Sequence, residues 1–235
     1  MNLSSMKNLS KRVIALGLGF AAMVTHAAGT FVYCSEASPE GFDTAQYISG
    51  QTFDAAGMAL FNRLVEFERG TNKLVPALAK SFDTAPDGLS YTFYLRKGVR
   101  FHTTGFFTPT RNFNADDVVF TFMRMFDKGH AFAKAYPATY PFANGSGLDS
   151  NVASVRKTDD NTVVFLLKKP DPDLLAKIAM PPFSIQSDEY AKKLLADGTP
   201  ALINQQPVGT GPFILERYQK DEQIRYTGNN GYWDP

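Results

Sequence analysis

Apolar and polar positions alternate most clearly in "SYTFYLRKG" (90–98), where Tyr91, Phe93 and Leu95 fall on one face and Thr92, Tyr94 and Arg96 on the other. A period of two predicts a half-buried strand. The stretch before it also alternates, and Pro86-Asp87-Gly88 between them is a turn signal, so 74–101 reads as containing a hairpin. A second hairpin is expected over 152–170, turning at Asp159-Asp160-Asn161, and a last strand pair over 211–229. Between the first two hairpins the period lengthens. "FNADDVVFTFMRMFD" (113–127) predicts a helix, with Asn114 as N-cap and Asp117 at the capping-box position. Helices are also expected from 52, running into a short extended piece by 68, over 171–180, and near 187–196. "GTFVYCS" (29–35) reads as a strand and 38–51 as a polar loop. The chain is therefore of mixed α and β structure.

The N-terminus follows a different pattern. Lys7, Lys11 and Arg12 precede the apolar run "VIALGLGFAAMV" (13–24), and small residues follow in "THAA" (25–28). This is the layout of a secretory signal peptide, and the run is too short to span a bilayer. Cleavage after Ala27 places Thr25 and Ala27 at the positions that must be small, so 1–27 is expected to be removed. No cysteine follows the run at a lipidation position, which predicts a soluble, exported product.

Composition adds little but excludes much. Twenty-four basic and 23 acidic residues leave a net charge of +1, which gives no electrostatic reason to expect a nucleic-acid partner. Phe is frequent, at 20 residues with 10 Tyr, enough to fill a core and line a cleft. Cys34 is the single cysteine, so no disulfide can form within the chain; it is either a buried strand residue or half of a bridge whose partner lies elsewhere. Asp116 and Asp117 look like paired carboxylates, but in a first helical turn acids serve the cap and the dipole. His102 and His130 have no metal-ligand spacing, and no metal site is expected. "PVGTGPF" (207–213) lacks the Lys-Ser/Thr of a phosphate loop, and a strand is expected to follow it. No catalytic constellation emerges, which favours binding over catalysis.

"AKSFDTAPDGLSYTFYLRKGVRFH", "FNADDVVFTFMRMFD", "LVPALAKSF", "PVGTGPF" and "NGYW" together resemble, in order, the bacterial extracellular solute-binding proteins of family 5, which serve dipeptide and oligopeptide ABC importers. "FVYCSEASPEGFD" and "SGQTFD" are most like the dipeptide-binding branch, which includes haem-carrying relatives. "FFTPTRNFNADDVVFTF" is also similar to a branch linked to antimicrobial peptides. The resemblance implies an α/β fold of the type II periplasmic-binding-protein kind, two-lobed in the family and here represented by the N-terminal lobe with its inserted subdomain. It implies that 28–60 begin domain I, that 61–205 are the insertion, and that 206–235 return to the first part, the chain ending before domain II.

By the same resemblance the function is periplasmic capture of di- or oligopeptides and their delivery to an inner-membrane permease. The protein would be a monomer, not an enzyme, with no cofactor, and with haem as an alternative transported ligand. A secreted hydrolase acting through His102 or Asp117 stands further off. The ligand-facing residues implied are Ser49, Gly50, Gln51 and Thr52 in "YISGQTF", with Tyr33 and Phe42 as aromatic residues of the cleft or, more simply, the core. In the dipeptide branch the partner of Cys34 lies beyond Pro235.

Overall fold

The computed structural model describes residues 29–234. Residues 29–34 belong to a unit of their own, separate from the body that begins at Ser35. The signal-peptide segment lies outside the described residues.

The predicted hairpins form and join. β3 (Ala79–Thr84) and β4 (Ser90–Leu95) make the first, β5 (Val152–Asp159) and β6 (Thr162–Leu167) the second. They assemble as one antiparallel sheet in the order β3-β4-β6-β5, with Phe93 opposite Val163 and Tyr91 opposite Phe165. Gly88 closes the first turn at φ +68°, a conformation open to glycine at little cost. Tyr91, Phe93, Leu95, Val163, Phe165 and Leu167 are buried and their neighbours are not, as a period of two requires.

The helix Ala115–Phe126 packs on β5 and β6 and sets Phe122 edge-on to Phe165 at 4.8 Å. Its capping box is complete: Asn114 Oδ1 accepts from the Asp116 N–H, and Asp117 accepts from the Asn114 N–H. Asp117, Thr121 and Arg124 form a buried polar stripe at helical spacing. Asp117 takes two bonds from Arg111 and one from the Asp188 N–H, and Thr121 Oγ1 accepts from the Gln186 N–H. Asp116 pairs instead with Lys157 of β5 at 2.7 Å, so both carboxylates hold structure together.

Smaller elements complete the body. β1 (Val65–Phe67) pairs with β2 (Leu74–Pro76), and β7 (Phe213–Gln219) pairs with β8 (Gln223–Gly228). Leu174–Ile178 and Asp188–Ala196 are helices, the latter capped by Ser187. Three short helices, Ala131–Ala135, Pro141–Gly145 and Leu148–Asn151, are additions to the predicted elements; they are too short to carry a readable period.

Three expectations fail. The segment 29–35 forms no strand, because a strand exists only through a partner and no described strand pairs with it. Cys34 and Tyr33 are exposed there, so the buried reading is wrong for both, whereas Phe42 is core. The helix from 52 also ends early. Helical backbone starts at Gly50 and, after a wide turn over Phe53–Gly57, stops. Beyond it the backbone is taken by distant partners: the Ala59 and Leu60 carbonyls accept from Phe213 and Gly211, and the Leu64 carbonyl from Ala77 and Ala79. Finally, 38–51 is not a plain polar loop, since Gly41–Ala45 are buried.

The stretch 207–213 is the tightest seam in the body. A Cβ on Gly209 would sit 1.8 Å from the Leu60 carbonyl oxygen, and one on Gly211 2.5 Å from the Leu60 carbonyl carbon. Only glycine permits this approach. His102 bonds both glycines, and Asn62 Oδ1 ties the middle of the seam to Trp233 by accepting from Thr210 Oγ1 and Trp233 Nε1. A small core of Phe42, Ala56, Leu60 and Phe61 lies beside it, flanked by Leu215, Tyr218 and Tyr226.

Candidate functional site

The candidate loop begins from a buried ion pair. Arg124 Nη1 and Nη2 donate to the two oxygens of Asp43, each at 2.7 Å, with Arg124 1% and Asp43 0% exposed. The guanidinium lies 5.6 Å from the Phe120 ring and 5.7 Å from that of Tyr140. Burial pushes the Asp43 carboxyl up, and the Arg124 charge and its hydrogen bonds more than offset this, so the group stays below the usual carboxylate range. Gln46 Nε2 also donates to Asp43, at 2.7 Å.

Asn204 fixes the other side of the same loop. Its Oδ1 accepts from the Asp43 N–H at 2.9 Å, its carbonyl accepts from the Phe42 N–H at 3.0 Å, and its Nδ2 donates to Tyr47 Oη at 2.6 Å. Residues 42–47 are thus held by a helix and by a turn far away in sequence. The next stretch of chain faces outward: Ile48 is 67% and Met58 57% exposed, and Gly50 between them is exposed as well.

The four residues expected to face a ligand are brought together. Ser49 caps the helical turn, its Oγ accepting from the Thr52 N–H and donating to Glu40 Oε2 at 2.7 Å. Gln51 Nε2 donates to Glu36 Oε1 at 2.9 Å. Thr52 is buried and its Oγ1 accepts from the Glu40 N–H at 3.1 Å. Gly50 has open space where a side chain would stand. The side chains of Ser49, Gln51 and Thr52 therefore clasp 36–40 and set the shape of the loop. The first backbone N–H groups of the turn have no acceptor within it.

Sequence reasoning missed Asp43, Arg124 and Asn204. Arg124 had a signal, an arginine inside "FTFMRMF" in phase with Asp117 and Thr121; Asp43 and Asn204 had none. A surface depression of about 450 Å³ lined by Thr104–Thr108, Thr110, Glu189 and Lys193 shares no residue with this loop. Among the described residues no cluster suited to a metal occurs, and no helix is long and apolar enough to cross a membrane.

The sequence and the α/β body built of antiparallel hairpins match known proteins. The family model described as "Bacterial extracellular solute-binding proteins, family 5 Middle" matches residues 73–235, and the chain belongs to that family. It is 55% identical over 222 residues to the dipeptide-binding protein of Pseudomonas aeruginosa, covering 94% of this chain and 42% of that protein. It is 47% identical to heme-binding protein A of Haemophilus influenzae, covering 87% of this chain and 37% of that one. The dipeptide binding protein from Pseudoalteromonas sp. SM9913, solved in complex with Met-Leu, superposes with a TM-score of 0.84 at 39% identity. That match covers 86% of this chain and 40% of the solved one. The chain thus spans about two-fifths of the length of these relatives, which are named as binding proteins.

Proposed function

We propose that this chain carries one wall of the peptide site in a substrate-binding component of an ABC importer. It takes di- and oligopeptides and delivers them to an inner-membrane permease. The 55% identity to a dipeptide-binding protein carries this reading. The loop supports it chemically. Ser49, Gln51 and Thr52 hold the tip in place, and the backbone of Gly50 is presented outward, where its N–H can pair with a peptide carbonyl. Such backbone pairing accepts many sequences. Ile48 and Met58 offer apolar surface to peptide side chains.

The same reading assigns 1–27 to a removed signal peptide, the product to the periplasm as a monomer, and Cys34 to a bridge with a cysteine outside this chain. It divides the body at about 60 and 205, a division supported by the small core that unites 42–61 with 215–226. The protein acts without catalysis or a resident cofactor. Identity to a heme-binding protein supports haem as a second cargo.

Gly50→Pro tests the assignment of the loop. Ser49 is extended at φ −77° and ψ 142°, as the residue before proline must be, and proline suits the first helical position. The substitution removes one N–H and leaves the fold intact. Titration calorimetry with Met-Leu is expected to give saturable binding, weakened about tenfold in the variant by loss of one hydrogen bond to the ligand. The thermal midpoint is expected to hold or rise. Equal binding by both proteins removes Gly50 from the site. A Soret band on haem titration with no heat from peptides replaces the peptide reading with the haem one.

A further inference from the structure

His102 has no part in the peptide loop, yet its ring is buried and both nitrogens are engaged. The Gly209 N–H donates to Nδ1 at 3.3 Å. A backbone amide only donates, so Nδ1 is the bare nitrogen and the ring proton resides on Nε2. Nε2–H then donates to the Gly211 carbonyl at 3.0 Å. The His102 N–H adds a bond to the Gly209 carbonyl at 2.8 Å. A neutral ring satisfies this frame. A second proton would turn Nδ1 into a donor aimed at another donor and place a charge in a buried site.

The seam has no slack to absorb that conflict. Gly209 and Gly211 already touch the Leu60 backbone, and the Gly211 and Phe213 N–H groups bond the carbonyls of Leu60 and Ala59 at 2.9 and 3.1 Å. Moving Gly209 away from the ring loads the same bonds. Nor does a counter-charge wait nearby. Arg63 and Glu66 pair with each other at 2.9 Å beside Asn62, Tyr232 bonds Asn62, and Arg100 is exposed two residues before His102. None of these sets the state of the ring. Burial draws its pKa down to about 4, opposed only by the Gly211 carbonyl.

We infer that His102 is an acid-operated latch: a second proton on its ring releases the Gly209–Gly211 seam and detaches the β7–β8 hairpin from the Ala59–Phe61 segment. The sign comes from linkage. In the open form the ring meets water and returns to its ordinary 6.5, so the open form binds the extra proton more readily. The latch therefore holds fully above about pH 6.5, weakens as the pH falls, and changes no further below about 4.

The test uses the 235-residue chain labelled with 15N. Ring spectroscopy is expected to show the Nε2–H tautomer at neutral pH. Amide exchange, corrected for its intrinsic pH dependence, is expected to report about 20-fold more frequent opening at Gly209, Gly211 and Phe213 at pH 5 than at pH 7. Amides of β4 and β6 should not change. His102→Asn, which cannot titrate, is expected to abolish the pH dependence. Should that variant not fold, the ring and amide data on the unmodified chain decide alone. An Nδ1–H tautomer, a ring titrating near 6.5 in the folded chain, or equal acid opening of β4 and β6 overturns the latch.

Discussion

Asp43 and Arg124 place two full charges deep in the protein interior, and this needs a reason beyond stability. A buried ion pair repays little more than its own desolvation, and an apolar pair of similar volume often does as well. What the pair supplies is position: two parallel bonds of 2.7 Å fix the carboxylate in the plane of the guanidinium, and so fix residues 42–47 against the helix. Removing one partner is far worse than removing both. Arg124→Met should cost about 3–5 kcal/mol, because Asp43 is left charged and buried. Adding Asp43→Asn should recover part of that loss, since a neutral amide needs no counter-charge. Urea midpoints of the two variants check this. If the double variant is no more stable than Arg124→Met, the uncompensated charge is not the cause. The Asp43 contribution is present above its ordinary carboxylate range and is lost as acid protonates the pair.

Where elements meet, the backbone itself is the contact. Gly209→Ala drives a methyl group into the Leu60 carbonyl, and neither side is a flexible side chain that can move aside. The expected loss is about 3 kcal/mol, at the upper end of overpacking costs, with increased exchange at the Gly211 amide. An unchanged thermal midpoint would contradict the seam as described. The same element scale separates what could be read in the sequence from what could not. The β3–β4 and β5–β6 hairpins were legible because turn chemistry at Gly88 and Asn161 and a period of two are local signals. So was the box formed by Asn114 and Asp117. The end of the helix near Gly57 was not, because Ala59 and Leu60 are held by Phe213 and Gly211 from far along the chain. The candidate loop was legible as a polar turn at Ser49–Thr52. Its base was not: Asp43 is fixed by residues 81 and 161 positions away, and a single sequence carries no mark of such a pairing.

At the scale of the whole molecule the body has two cores of unequal size. The large one takes in Ala45, Leu64 and Val65 and runs from Leu78 through the four-stranded sheet and the helix Ala115–Phe126 to Val208. The small one contains only Phe42, Ala56, Leu60 and Phe61. At about 1.5–3 kcal/mol for each large apolar side chain buried, the small core sustains far less than the sheet and should open first. The hairpin β7–β8 is held to this side by four bonds, from Tyr218 Oη to the Pro39 carbonyl, Tyr226 Oη to the Ala55 carbonyl, the Asp221 N–H to Ser38 Oγ and the Phe213 N–H to the Ala59 carbonyl. Limited proteolysis at neutral pH should therefore cut first within 35–57 and 213–228 and leave a fragment containing 79–196. Lowering the pH to 5 should speed cutting within 213–228 more than within 35–57, because the hairpin continues directly from the His102 seam, whereas 35–57 reaches it only through Ala59 and Leu60. Mass analysis of the time course reads both orders directly. Early cuts between β4 and β5 would mean that the sheet, not the small core, is the weaker part.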